Sequence, residues 1–198
     1  MRKWIALAPV ALLVAATAFA ADSPPAMSAQ QQAMMDKMMK AATPGPQHEM
    51  LKKLAGDWNA KVRFQMDPSQ PWQESASTST ITMLMDGRYC QEVVSGQMMG
   101  GPFNGIGITG YDNVIGKYVG TWIDNMGTGI ETMQGTADAG GKVITWIGTM
   151  SDPVTGKPSR NRMVTTIVDD DHHTLEMYAV QPGAKKETKT MTIEYSRK

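Results

Sequence analysis

The 198-residue sequence has one cysteine, three histidines, few aromatic residues and no excess of either charge. The single cysteine, Cys90, cannot form an internal disulfide, so we interpret it as a small buried apolar residue within a strand. The 19 basic residues are balanced by 19 acidic ones. This balance argues against a nucleic acid partner, because binding phosphate groups requires a basic face.

A catalytic motif is also missing from the sequence. No Gly-x-Ser-x-Gly nucleophile turn occurs, and the histidines lie near predicted strand ends rather than beside a nucleophile. The carboxylates Asp112 and Asp124 are each explained by a turn. We therefore expect a protein that is not an enzyme, with an enzyme that uses an interior cavity as an alternative.

The only long apolar run is at the N-terminus. Residues 1–20 begin with Arg2 and Lys3, continue through an apolar segment at 5–16 and end in Ala-Phe-Ala, which predicts a secretory signal peptide that is cleaved. Its removal takes two basic residues away, which leaves 17 basic against 19 acidic residues and a formal charge of −2. We expect a secreted or periplasmic protein with no membrane anchor after cleavage.

The segment after the leader differs in composition from the rest of the chain. Residues 27–42 are rich in Ala, Gln, Met and Lys, which favour helix, and the Thr-Pro-Gly-Pro sequence at 43–46 ends that helix. A second short helix is predicted at 47–54. The sequence thus divides into a signal peptide (1–20), a Met-rich helix with a Pro/Gly linker (21–46) and a main domain (47–198).

The main domain has the two-residue alternation of half-buried strands from Trp58 onward. Short turns, including a two-residue hairpin predicted at Asp86-Gly87, divide it into about ten strands with no room for crossover helices. Ten meandering strands leave two bare edges unless the sheet closes. We therefore predict an all-β fold, an up-and-down, lipocalin-like antiparallel barrel preceded by one or two short helices, with a sandwich as the alternative.

Two short motifs resemble the lipocalin-like barrels, or calycins. Gly56-Asp57-Trp58 follows a short helix, and Arg197 ends the last predicted strand. The resemblance implies that Trp58 packs at the closed end of the barrel beneath Arg197, as structural residues. The ten-strand count is more similar to the fatty-acid-binding and nitrobindin-like branches than to eight-stranded lipocalins.

A second resemblance covers residues 48–198. The segments HEMLKKLAGDW (48–58), GITGYDNVIGKYVGTWIDNMGTG (107–129) and VDDDHHTLEMY (168–178) are similar to the bacterial family known as domain of unknown function 1579. The resemblance implies a secreted domain with no assigned reaction. It brings no functional residues, and a fold by itself does not imply a function.

Five residues are candidates for lining the lumen of the barrel. Tyr118, Trp122 and Trp146 are the predicted aromatic lining, with core packing as the alternative. Arg160 and Arg162 share one face of a strand. If that face is the lumen, they can bind a ligand carboxylate; if it is the outer face, they are surface charge.

The Met-rich helix is a candidate for binding a soft metal. Met34, Met35, Met38 and Met39 line one side of the helix, and thioethers are suitable ligands for Cu(I). The alternatives are an apolar face that covers the barrel mouth or packs on a partner, and a set of methionines that absorbs oxidants.

The histidines are further metal candidates. His172 and His173 follow three aspartates, but adjacent strand residues point to opposite faces, so we do not expect them to share one ion. A haem-binding barrel would need one of them as an inward ligand. The sequence requires no cofactor. We therefore expect a non-catalytic exported barrel that binds a small, partly apolar molecule in its lumen, with the Met-rich helix as the alternative functional element.

Overall fold

The computed structural model describes residues 27–153, 155–180 and 185–198, and the predicted signal peptide lies outside these residues. Helix α1 spans Ala29–Ala42 and helix α2 spans Pro46–Lys53. Ser28 caps α1 in a capping box with Gln31, which satisfies two backbone N–H groups that the first helical turn leaves free. Both helices lie where the sequence predicts them.

Ten strands follow the helices, each close to a segment with two-residue alternation. Their bounds are β1 Gly56–Phe64, β2 Gln73–Leu84, β3 Tyr89–Met98, β4 Gly101–Asp112, β5 Lys117–Asp124, β6 Glu131–Ala137, β7 Val143–Ser151, β8 Pro158–Ile167, β9 His172–Val180 and β10 Glu187–Arg197. The connection between β2 and β3 is a four-residue turn, 85–88, in which Met85, Asp86 and Gly87 all have positive φ. The two-residue hairpin predicted there is wrong, because the strands separate one residue earlier on each side.

The ten strands form a closed barrel in which every strand pairs antiparallel with its neighbours in sequence. β1 also pairs with β10, with Trp58 opposite Arg197 and Phe64 opposite Met191. Closure gives every strand two partners, so neither β1 nor β10 leaves an unpaired edge. The predicted all-β, up-and-down barrel with preceding short helices is confirmed.

Helix α2 packs against the end of the barrel at which β1 begins. Its Leu51 is 1% exposed and belongs to the core that contains Trp58, Tyr118 and Ile144. The indole N–H of Trp58 donates to the carbonyl of Leu54 at 2.9 Å, just beyond the helix. We call this end the closed end, and the end at which β1 finishes and β10 starts the open end.

Arg197 connects three backbone segments at the closed end. Its guanidinium lies 4.1 Å from the centre of the Trp58 ring and donates to the carbonyls of Lys53, Ala55 and Asp170 at 2.7–3.0 Å. These carbonyls come from the end of α2, the residue just before β1 and the β8–β9 turn. The arrangement is the one that the calycin resemblance implies for Trp58 and Arg197.

Helix α1 does not pack on the barrel. None of its residues is buried, and Asn113 in the β4–β5 turn holds only its C-terminal end by donating to the carbonyls of Ala41 and Thr43 at 3.0 and 2.8 Å. Its methionine face therefore does not cover the barrel mouth, which was one alternative for this helix, and α2 closes the barrel instead. In the described part of the chain, no helix is long and apolar enough to cross a membrane.

Candidate functional site

The strand register divides the barrel side chains into an inner and an outer set, because residues paired across antiparallel strands lie on the same face. The inner set includes the core residues Trp58, Val62 and Ile144. At the open end, several inward-facing side chains remain partly exposed: Ser75, Phe103, Trp122, Asp124, Met177 and Met191. These side chains are partly accessible, whereas Phe64 and Glu131 at the same end are buried, and α2 and Arg197 cover the closed end.

The three predicted lining aromatics all face the interior, but only one is accessible. Tyr118 and Trp146 are buried: Tyr118 packs edge-on against Tyr111 with ring centres 5.0 Å apart, and the Trp146 N–H donates to Thr165 at 3.1 Å. These two are part of the core, which is the alternative that the sequence left open. Trp122 is partly exposed at the open half.

Trp122 lies flat against β4, where two glycines leave room for its ring. A Cβ atom on Gly105 would come within 2.2 Å of the indole, and one on Gly107 within 3.1 Å. The indole N–H donates to the Asp124 carboxylate at 2.9 Å, which fixes the orientation of the ring. A rigid aromatic wall therefore forms one side of the open half.

We expect G105A to lower the free energy of unfolding by about 1–3 kcal/mol, because the new methyl group displaces the Trp122 ring from a well-packed position. G107A is the matched control: its methyl group lies 0.9 Å farther from the ring, and we expect a loss of less than about 1 kcal/mol. Chemical denaturation of the three proteins measures both values. Equal losses would show that the close contact at Gly105 has no special cost.

Glu131 stands directly across the strand pair from Trp122, at the first position of β6. It is only 7% exposed, and its Oε1 accepts a hydrogen bond from the side-chain amide of Asn161 at 2.7 Å. Gly148 leaves the space that this pair occupies, since a Cβ there would lie 2.1 Å from the Glu131 oxygen. Burial raises the pKa of Glu131, the Asp124 carboxylate adds to this effect, and the bond from Asn161 opposes it.

The Asn161 side chain is only half satisfied. Its amide nitrogen donates to Glu131, but its buried Oδ1 has no hydrogen-bond partner. Buried acceptors without a donor are rare in proteins and call for a partner or an explanation. An unpaired acceptor thus lies beside a buried carboxyl group, and both are packed against Gly148.

A second inward-facing carboxyl group belongs to Glu92 on β3, which is paired with Gly107 on β4. Desolvation raises its pKa, while hydrogen bonds from Ser79, at 2.7 Å, and from Tyr195 act in the opposite direction. Sequence reasoning missed Glu92, Glu131 and Asn161. A signal for two of them was available, because residues two apart on a strand point to the same face. Glu131 is two residues from the inward-facing Met133, and Asn161 is two residues from the core residue Met163.

Arg160 and Arg162 lie on the outer face, so the lumen interpretation of this pair is wrong. They alternate along β8 with the inward-facing Asn161 and Met163. Arg162 forms an ion pair with Glu187 at 2.7 Å and stacks over Tyr178 with its Cζ 3.9 Å from the ring centre. Because both faces of β8 mix polar and apolar residues, the sequence alone did not distinguish inside from outside.

The four helical methionines are placed on the surface. Met34, Met35, Met38 and Met39 on α1 are 43–62% exposed. These residues are accessible to solvent, and Cu(I) binding or oxidation at these positions stays a prediction.

The two adjacent histidines point to opposite faces. His172 is exposed, with its Nδ1 2.9 Å from Asp169. His173 is 5% exposed, stacked on Tyr195 with ring centres 4.2 Å apart and edge-on to Trp58. They do not share one site, and His173 belongs to the closed-end core, away from the accessible lumen.

The fold defines a class: a closed, ten-stranded antiparallel barrel with a helix and an arginine at one end and partly exposed, inward-facing polar and aromatic side chains at the other. The chain belongs to the family described as "Protein of unknown function (DUF1579)", whose model matches residues 43–197. No curated protein matches the sequence.

Two solved structures are similar to this barrel. The crystal structure of Rv2717c from M. tuberculosis aligns with a TM-score of 0.60 at 16% sequence identity, over 79% of this chain and 99% of that one. A redesigned β barrel aligns with a TM-score of 0.39 at 10% identity, over 75% of this chain and 94% of that one. At this identity, the similarity to Rv2717c shows a common fold alone.

Proposed function

We propose that this protein is an exported, non-catalytic binding protein that holds a small, partly apolar molecule in the open half of its barrel. The observation that carries the proposal is the closed barrel in which several inward-facing residues at the open end, such as Trp122 and Met177, stay partly exposed. Trp58 and Tyr118 near the closed end are buried. A chamber with one mouth is the usual form of a small-molecule site.

The lining of the open half supports a partly apolar ligand. Met177 and Met191 are paired across β9 and β10, and both are partly exposed. Methionine side chains are flexible and polarizable, so they adapt to apolar ligands of different shape. Trp122 adds a flat apolar surface, and the partly exposed Asp124 beside it supplies a polar group of the kind that such sites use to orient a ligand.

The absence of a catalytic arrangement in the sequence is consistent with binding rather than chemistry. Glu131 and Glu92 have raised pKa values, which is a property of catalytic acids as well as of buried structural carboxyls. Each is hydrogen-bonded by neutral partners, Asn161 for Glu131 and Ser79 for Glu92. The Ser79 hydroxyl beside Glu92 is fully buried, and the Glu131–Asn161 pair contains no nucleophile, so we assign neither carboxyl group to catalysis.

Blocking the mouth tests this proposal. We expect the neutral fluorescent probe N-phenyl-1-naphthylamine to bind the purified protein, and A179W to weaken binding at least about fivefold, because Ala179 faces inward opposite Asn161. V180W is the control, since Val180 is the next residue and is exposed on the outer face. Fluorescence titration gives the dissociation constants. An absence of probe binding, or equal loss in both variants, would contradict the proposal.

A further inference from the structure

The outer wall of the barrel has a charged part and an uncharged part. On β1 and β10, the outward-facing side chains include Lys61, Arg63 and Glu194. On β3, β4 and β5, the outward-facing residues within 89–97, 104–110 and 119–123 are all uncharged. Charged residues are the usual surface residues of soluble domains, so three neighbouring strands without them form an unusual outer surface.

The uncharged part of the wall carries a contiguous apolar stripe. Val93, Ile106 and Ile123 are paired in register across the three strands, and each is 39–44% exposed. Tyr89 on β3 and Ile108 on β4 continue the row toward the closed end, and they are exposed to a similar extent. We call these five residues the apolar stripe. Single exposed apolar residues are common, but a contiguous exposed patch marks an interaction surface.

Helix α1 has a second exposed apolar surface, its methionine face, which consists of Met34, Met35, Met38 and Met39. At about 100° per residue, these four lie on one side of the helix, and the three charged residues lie on the other: Asp36, Lys37 and Lys40. No residue of α1 is buried. Because a 14-residue helix is only marginally stable by itself in water, α1 gains stability when its methionine face packs.

The methionine face and the apolar stripe match in size and chemistry. A helix is about 10 Å wide, and three strands about 4.8 Å apart span a similar distance. Both surfaces are apolar and uncharged, and flexible methionine side chains fill the gaps between β-branched side chains. A helix packed on a sheet is one of the standard layered arrangements of proteins.

Within one chain, both surfaces remain exposed. Asn113 in the β4–β5 turn holds the end of α1 through the carbonyls of Ala41 and Thr43, at the closed end of the strands that carry the stripe. A second copy supplies both missing partners at once, because its stripe receives the helix and its helix covers the stripe. Stable interfaces bury about 800 Å² per partner, and reciprocal exchange doubles the area that one helix face supplies.

We propose that two copies of this chain form a dimer in which α1 of each copy packs its methionine face on the apolar stripe of the other. The contact lies on the outer wall, so it goes beyond the proposed function and does not depend on binding inside the barrel. It also gives the methionine face the partner that the sequence left open as one role for this helix.

Charged substitutions on each surface test the dimer. We expect sedimentation velocity to show a dimer of the purified protein at micromolar concentrations. M38K and I106K should each weaken dimerisation at least about tenfold, because each buries an ammonium group without a partner in the contact. The controls A33K, on the charged side of α1, and V180K, on the outer face of β9, should change the dimerisation constant less than about twofold.

Chemical crosslinking tests the arrangement of the two copies. M38C protein is mixed with I106C protein and treated with a short bis-maleimide, and mass spectrometry identifies the linked peptides. We expect a link between position 38 of one copy and position 106 of the other. A33C mixed with I106C is the control and should give no such link. The native Cys90 is buried and lies outside the contact.

Three results would overturn the dimer. The first is a protein that stays monomeric at these concentrations. The second is a dimer that M38K and I106K do not weaken, which would place the interface elsewhere. The third is a link that forms only within a single chain carrying both M38C and I106C, which would show that α1 covers the stripe of its own chain.

Discussion

Replacing Arg197 with alanine is expected to lower the free energy of unfolding by about 3–5 kcal/mol, the largest effect that we predict for a single substitution. The guanidinium donates to the carbonyls of Lys53, Ala55 and Asp170 and covers the ring of Trp58. Its removal leaves these carbonyls without their donor. It also exposes the edge of the core at the point where β10 meets β1.

Two further variants identify the physical cause of that loss. R197K keeps the charge but has one ammonium group, which does not reach carbonyls on three segments at once, so we expect about half of the loss. Arg63 is the control position: it is an outward-facing strand arginine paired with Glu74 at 3.3 Å, and R63A should cost less than about 1 kcal/mol. Denaturant titrations measure all three. If R197K is as stable as the wild type, charge alone matters and the hydrogen-bond explanation is wrong.

The second large effect is a loss of stability at acidic pH that is caused by His173. Burial, with a smaller contribution from the Arg197 cation, lowers the pKa of His173 to about 4. The unfolded chain has the ordinary histidine value, about 6.5, so between these values it binds a proton that the folded protein does not. Stability is therefore unaffected above pH 6.5 and falls as the pH is lowered toward 4, by up to about 3 kcal/mol in total.

The variant H173F isolates this contribution, because phenylalanine retains a ring against Tyr195 and Trp58 and does not titrate. We expect the free energy of unfolding of the wild type, relative to H173F, to decrease by about 2–3 kcal/mol between pH 7.5 and 4.5. Glu92 and Glu131 have raised pKa values and act in the opposite sense, as they reduce stability when the pH rises above about 4.5. They are common to both proteins and cancel in the comparison. A constant difference across this range would show that His173 is not held neutral.

Much of the fold could be predicted from local sequence. The alternation of Trp58, Ala60, Val62 and Phe64 with polar residues gives β1 its buried face, and short turns between similar segments predict sequential antiparallel pairing. The Gly-Asp-Trp motif and Arg197 predicted the contact at the closed end. These predictions succeed because each depends on a short segment whose pattern is strong.

The candidate site was predicted less well. Trp122 was identified, but Glu131 and Asn161 were not, and Arg160 and Arg162, lumen candidates with the outer face as the alternative, lie on the outer face. In β8 the two faces carry similar numbers of polar residues, so hydrophobicity does not identify the inner one. The position of the interior there is set by pairing with β7 and β9, which places Met163 opposite Trp146.

By itself, the sequence determined the strand segments, their sequential order, the two helices and the residues that seal the closed end. Only the tertiary structure decided which helix covers the barrel, which aromatic side chain stays accessible and which charges face inward. The physical reason is that alternation fixes two faces for every strand but not their relation to the interior. That relation is established when β10 pairs with β1, and one register then assigns each side chain to the chamber or to the surface.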